Sequence, residues 1–189
     1  MEKGTFRILG IAGSLRQASY NRGLLRAAAE VLPPGVSLDI LTLDDIPLFS
    51  ADVMAEGDPP PVETMKERIR AADALLIATP EYNYSIPGVL KNAVDWASRP
   101  SKNSVLRVKA VGIMGASGGD SGTIRSQMAL RQVFVQTNSF VMVQPELRVP
   151  NAGTKFDAVG NLVDAELRER LRAFVAALVD WARLVGSRA

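Results

Sequence analysis

The chain has 189 residues, 47% hydrophobic and 22% charged, which suits one domain over 1–189 with one sizeable core. Its 22 basic and 20 acidic residues leave a net charge of only +2, too balanced for bulk nucleic-acid binding, which needs a clustered basic face. With no cysteine and no histidine, thiol nucleophiles, disulfides, imidazole acid–base catalysis and the usual zinc ligand sets are excluded.

If the chain is an enzyme, its reactive group is therefore expected to be a borrowed cofactor. No metal site and no catalytic side chain in the strict sense are expected. The start, MEKGTFRILG, has no apolar run long enough for a signal peptide, and nothing approaches a transmembrane span; a cytoplasmic protein without a membrane partner is expected.

Apolar, β-rich runs alternate with helical patterns along the chain. FRILGIA (6–12) reads as the first strand and 20–32 as a helix closed by Pro33-Pro34-Gly35. VSLDILTL (36–43) is the second strand. A long loop, 44–61, is rich in Pro, Asp and Gly and suits a site rim or an interface. A short helix over 62–72 precedes the third strand, ALLIATP (74–80). The helix 88–97 carries Val89, Leu90, Ala93, Val94 and Ala97 on one stripe. LRVKAVGIMG (106–115) is the fourth strand, 121–136 a helix, and SFVMVQPELRV (139–149) the fifth strand, with Pro145 a candidate break. The terminal helix, 164–185, places Leu167, Leu171, Phe174, Leu178 and Trp181 on one face.

Five βα units in this length predict a doubly wound, five-stranded parallel sheet with helices on both faces. Ligands of such sheets bind beyond the carboxyl ends of the strands, at the switch in strand order. Three loops leave those ends. The first, GSLRQASYN (13–21), lies in a stretch, 3–29, without Asp or Glu but with Arg7, Arg16, Arg22 and Arg26. A helix start normally favours acids, because its free N–H groups carry partial positive charge. Ser19 can cap this one, but a cation, Arg22, sits at the capping-box position. The free donors thus suit an outside anion, helped by Ser14, Asn21 and the bidentate Arg16. Neither GxxxxGK[ST] nor GxGxxG is present. A mononucleotide phosphate fits best, although Asp44 and Asp45 near the end of strand two keep a dinucleotide reading open.

The second loop, within TPEYNYSIPGVLKNAVDW (79–96), crowds Glu81, Tyr82, Asn83 and Tyr84 behind Pro80, which suits the wall and amide rim of a flat heterocycle. The third, GASGGDSG (115–122), lets the main chain approach a ligand closely. Each loop alone also reads as an ordinary packed turn; three on one edge are stronger.

Together GSLRQASYN, PEYNYSIPGVLKNAVDW and GASGG resemble the NADPH-dependent FMN reductase family, in its quinone and chromate reductase branch, and LDDIPLF (43–49) and FDAVGNLVD (156–164) resemble family segments too. The resemblance implies a flavodoxin-like fold with strand order 2-1-3-4-5 and one FMN per subunit. By position, Ser14, Arg16, Ser19, Tyr20 and Asn21 would hold the FMN phosphate. Pro80, Glu81, Tyr82, Asn83 and Tyr84 would line the flavin ring, mainly through backbone groups, and Ser117, Gly118 and Gly119 would close the other side.

The resemblance further implies a ping-pong cycle: NADPH or NADH gives hydride to the flavin and leaves, and a quinone, chromate or another small-molecule acceptor takes the same face. It implies a homodimer or a dimer of dimers with sites near subunit boundaries. Arg125 and Glu146 are candidate contacts between dimers, with Met128 beside them where an aromatic would be less surprising. On this view Trp96 is expected at a subunit interface, the alternative being that it packs under the 44–61 loop. The rival functions are a flavodoxin-type electron carrier, which the basic pI near 9.1 and Arg16 disfavour, and an azo-dye or flavin reductase that takes FMN as substrate.

Overall fold

The computed structural model describes residues 5–186. Its strands β1 (Phe6–Ala12), β2 (Val36–Leu41), β3 (Ala74–Ala78), β4 (Ala110–Ala116), β5 (Phe140–Val141) and β6 (Leu147–Val149) alternate with helices α1 (Tyr20–Glu30), α2 (Ala51–Glu56), α3 (Pro60–Ala71), α4 (Gly88–Ala97), α5 (Ile124–Gln136) and α6 (Ala165–Gly186). The pairings are parallel in the order β2-β1-β3-β4-β5, with β6 also on β4. The 2-1-3-4-5 order of the flavodoxin-like fold is thus present, and the switch falls at β1 and β3.

The central strands are covered on both faces, which is why they read as unbroken apolar runs. Every residue of β3 and β4 is buried. One face packs against α1 and α6 through Leu24, Leu171, Phe174 and Leu178. The other packs against α3, α4 and α5 through Met65, Leu90, Trp96 and Phe134. The edge strand β2 alternates half-buried and exposed residues, the pattern of a strand with one wet face.

The structure realises the candidate break at Pro145 and departs from the sequence expectations at the fourth strand and in the 44–61 loop. The fifth strand is two short pieces, β5 and β6, split by 142–146 around Pro145, a residue with no N–H for a ladder. The fourth strand begins at Ala110 rather than 106. Before it, Val108 takes a left-handed φ of 56°, which no strand tolerates, while Val105 and Leu106 plug the end of the core. The 44–61 loop is not structureless, for Ser50 caps the one short helix α2 within it.

Two glycines show how tightly the site end is built. A Cβ on Gly115, near the end of β4, would meet the Thr123 hydroxyl at 2.0 Å and the Thr79 carbonyl at 2.4 Å. A Cβ on Gly23, in α1, would meet the Gly160 carbonyl at 2.0 Å and the Phe156 ring at 3.1 Å. The second contact explains the FDAVGNLVD segment: it folds back through a Phe156–Leu162 bridge and lies on α1. Among the described residues no helix is long and apolar enough to cross a membrane.

Candidate functional site

Backbone bonds hold the ends of β1, β3 and β4 side by side. The Gly13 amide donates to the Ala78 carbonyl and the Thr79 amide to the Met114 carbonyl, both at 2.9 Å. A cleft opens where the three following loops meet. Ser14, Arg16, Ser19, Tyr20 and Asn21 form one wall, Pro80, Glu81 and Tyr82 a second, and Ala116, Ser117 and Gly118 a third. Asn83, Tyr84 and Gly119 lie off this lining. Ala116, outside the site residues expected from sequence, joins them because it ends β4 directly before Ser117 within GASGGDSG.

On the first wall, Ser19 caps α1. Its Oγ accepts the amides of Asn21 at 3.2 Å and Arg22 at 3.4 Å, so those two helix donors are spent inside the chain. The amides of Ser14, Leu15, Gln17, Ala18, Ser19 and Tyr20 have no acceptor among the described residues. They are N–H donors of this loop that the protein itself leaves unpaired, and those of Ser14, Ser19 and Tyr20 belong to residues lining the cleft. Two of the arginines are also spent. Arg22 donates to the Ser14 carbonyl at 2.9 Å and pairs with Asp44 at 2.8 Å, and Arg26 donates to the Gly160 carbonyl. Asp44, one of the acids that kept a dinucleotide reading open, is thereby committed to a cation. Arg16 has no carboxylate partner among the described residues; its guanidinium lies 5.2 Å from the Tyr20 ring centroid. Tyr20 is in turn backed by Phe156, 5.2 Å between ring centroids. Asn21 is buried and serves the architecture. It donates to the Ala116 carbonyl and accepts the Ala116 amide, both at 2.9 Å, and so fastens the first wall to the third.

The second wall contains a tight turn. The Tyr82 and Ser85 amides each donate to the other's carbonyl, at 3.2 and 3.0 Å, with φ of 50° at Asn83 and 64° at Tyr84. This is the hairpin turn with two left-handed residues, easy for Asn and strained for Tyr. Tyr84 is exposed, its ring 4.0 Å from the Arg125 guanidinium.

Glu81 does its work between walls. Its carboxylate accepts the Arg125 amide at 2.8 Å and the Ser126 amide at 3.3 Å, and it pairs with the Arg125 side chain at 3.0 Å. Helix α5 makes no side-chain cap of its own, because Thr123 at its start is left-handed and its hydroxyl accepts from Gln127. Glu81 thus caps α5 from another loop. Burial alone would raise its pKa, but the Arg125 guanidinium and the amides of Ser126 and Arg125 outweigh it and hold the carboxyl below its ordinary 4.5. A folded pKa below the unfolded one stabilises the fold above the unfolded value, and that stability is lost as pH falls through the folded one. Glu81→Gln is therefore expected to destabilise the protein near neutral pH, by a gap that narrows as pH drops below 4.5. Urea unfolding of both proteins across pH 3–7 checks this; a gap constant across that range would refute the assignment.

On the third wall, an added Cβ at Gly118 meets no protein atom within 4 Å. The protein's own packing does not require glycine there, and Gly118 lines the cleft.

Comparison with known proteins shows the family. Residues 6–154 match the family described as NADPH-dependent FMN reductase. The chain is 48% identical to an NAD(P)H-dependent FMN reductase of Pseudomonas aeruginosa, over 94% of this chain and 95% of that one. It is 41% identical to a 2-hydroxy-1,4-benzoquinone reductase of a Burkholderia species, over 94% and 96% of the two chains. Among solved structures it superposes with TM-score 0.85 on FerB, a flavoenzyme NAD(P)H:(acceptor) oxidoreductase of Paracoccus denitrificans, at 31% identity and over 94% and 97% of the chains. The chain belongs to the NADPH-dependent FMN reductase family.

Proposed function

We propose that the chain is an FMN-dependent NAD(P)H oxidoreductase whose acceptors are quinones and, more widely, small oxidants such as chromate. The observation that carries the reading is the cleft itself: among the described residues its first loop has six amides without a protein acceptor and an arginine without a carboxylate partner, and it faces walls of Pro80, Glu81 and Tyr82 and of Ala116, Ser117 and Gly118. The names of the relatives, FMN reductase and benzoquinone reductase, support it.

Ser14, Arg16, Ser19 and Tyr20 would hold the phosphate together with the free amides. Pro80, Glu81 and Tyr82 would border the ring through their backbone, and Ser117 and Gly118 would close the opposite edge. Asn21 acts by fixing the first wall to Ala116. Asn83 and Tyr84 shape the turn behind the second wall, and Gly119 helps seat the third, its carbonyl accepting the Asn151 amide at 3.1 Å. Bound FMN would supply the hydride chemistry that a chain without His or Cys lacks. The protein's part is orientation and N–H donation toward developing negative charge. Nicotinamide and acceptor would use the open side in turn, which is the ping-pong order.

A homodimer in the cytoplasm, where NAD(P)H is regenerated, completes the proposal. Its surface cannot use Trp96, which is fully buried in this chain. Leu48 is the better anchor. It is 84% exposed, yet Asn92 holds both flanking groups, donating to the Pro47 carbonyl and accepting the Phe49 amide, each at 2.8 Å. Arg125 and Glu146 pair within the chain with Glu81 and Arg148 and stay partly exposed, so they remain candidates for joining dimers.

Heat-released flavin from the purified yellow protein is expected to run as FMN on chromatography, and that protein alone is expected to oxidise NAD(P)H with quinone. Released FAD, or a colourless protein indifferent to added FMN, would sink the reading. Activity only with an added partner protein would favour a carrier, and loss of flavin on gel filtration would favour FMN as substrate.

A further inference from the structure

Arg22 looks from sequence like one more cation for the phosphate, but the structure gives it another task. Its Nε donates to the Ser14 carbonyl at 2.9 Å, and its terminal nitrogen takes both Asp44 oxygens, at 3.1 and 2.8 Å. The Arg22 side chain is 13% exposed and that of Asp44 41%. In a trans peptide the carbonyl and the following amide point to opposite sides. Turning the Ser14 carbonyl onto Arg22 therefore turns the Leu15 amide away from Arg22, and that amide has no acceptor among the described residues.

The acid at the far end of this chain of contacts is itself fixed. Asp44 begins the 44–61 loop, three residues before Pro47. The Pro47 carbonyl accepts from Asn92 and from the Trp96 indole, each at 2.8 Å. Further along, Asp58 pairs at 2.6 Å with Lys66, which is 1% exposed. The loop is thus tied to α3 and α4 through the buried Lys66 and Trp96 and through Asn92, and it holds Asp44 against Arg22.

We propose that Asp44 and Arg22 are positioning residues for the phosphate loop: a strut that orients the Ser14–Leu15 peptide so that its amide serves the anion. The proposal rests on the FMN reading above. It makes a prediction opposite in sign to simple electrostatics. An acid near a phosphate site repels the ligand, so neutralising it should tighten binding, all the more if Arg22 were freed to reach the phosphate. A strut predicts the reverse.

The experiment titrates FMN and riboflavin, followed by flavin fluorescence, into flavin-stripped wild type, Asp44→Asn and Arg22→Gln. Riboflavin lacks the phosphate and reports on the ring walls alone. Asp44→Asn is expected to weaken FMN binding about five-fold, the effect of losing a partly exposed ion pair, and to leave riboflavin affinity unchanged. Arg22→Gln is expected to weaken FMN binding further, again sparing riboflavin. Tighter FMN binding by Asp44→Asn, or an unchanged preference for FMN over riboflavin in both variants, overturns the strut. An equal loss for both flavins also overturns it, because it would mark a general structural role. A wild type that binds riboflavin as tightly as FMN overturns the FMN reading itself, and the strut with it.

Discussion

Arg16→Ala is expected to weaken FMN binding about ten-fold to a hundred-fold. A hydrogen bond to a charged group contributes roughly 1.5–3 kcal/mol, and about 1.4 kcal/mol is one decade in affinity. What singles out Arg16 is that no carboxylate among the described residues pairs with it. Arg22 is neutralised by Asp44 and Arg26 is held by the Gly160 carbonyl, while Arg16 rests over the Tyr20 ring and keeps its charge available. The residue is exposed, so truncation removes little packing, and far-UV circular dichroism and the thermal midpoint are expected to stay near wild type. Riboflavin affinity is expected to be unaffected, because the change removes a phosphate contact. Fluorescence titration measures both flavins. Unchanged FMN affinity would mean that the amides carry the phosphate alone and that Arg16 is only a solvated surface cation.

The doubly wound parallel sheet and the convergence of three loops at the strands' carboxyl ends were legible because they follow from local signals, whereas the order 2-1-3-4-5 followed from the family resemblance. Buried strands are unbroken apolar runs, and Gly, Pro and Ser mark where each strand ends. The acid-free start of the first helix was legible directly. What pattern alone did not show was which polar residues are already engaged by partners far along the chain. Arg22 reads as a free cation until Asp44, twenty-two residues later, is seen against it. Glu81 reads as part of a ring wall, although its carboxylate caps a helix that begins more than forty residues on. Asn21 reads as a ligand group, while both ends of its amide grip Ala116. The break in the fifth strand, legible at Pro145, and the late start of the fourth, which was not, both have a local cause: single residues, Pro145 and Val108, whose backbone cannot extend a ladder there.

Trp96 is the clearest case of a long-range partner deciding a role, and it gives the prediction with the largest expected effect. The side chain is fully buried. Its indole N–H donates to the Pro47 carbonyl at 2.8 Å, and Phe49 meets its ring edge-on at 4.9 Å. The buried Lys66 ammonium lies 6.0 Å from the ring centroid. Trp96 is therefore a core residue under the 44–61 loop, and the interface expected for it is corrected. Trp96→Ala is expected to cost about 3–5 kcal/mol, the usual penalty for emptying a large aromatic site, out of a total of roughly 5–15 kcal/mol for a domain. Urea unfolding monitored by circular dichroism measures the loss. Because the Pro47 carbonyl also loses a donor and Lys66 an apolar cover, the loop is expected to become the first site of limited proteolysis. Trp96→Phe separates the two contributions. It keeps most of the apolar fill and loses the hydrogen bond, so it is expected to be much milder, at about 1 kcal/mol. The assembly state offers the contrary test. If Trp96→Ala kept wild-type stability and instead shifted light scattering from at least twice 20.3 kDa toward the monomer mass, Trp96 would be an interface anchor after all, and the packing of the 44–61 loop over it would have to be abandoned.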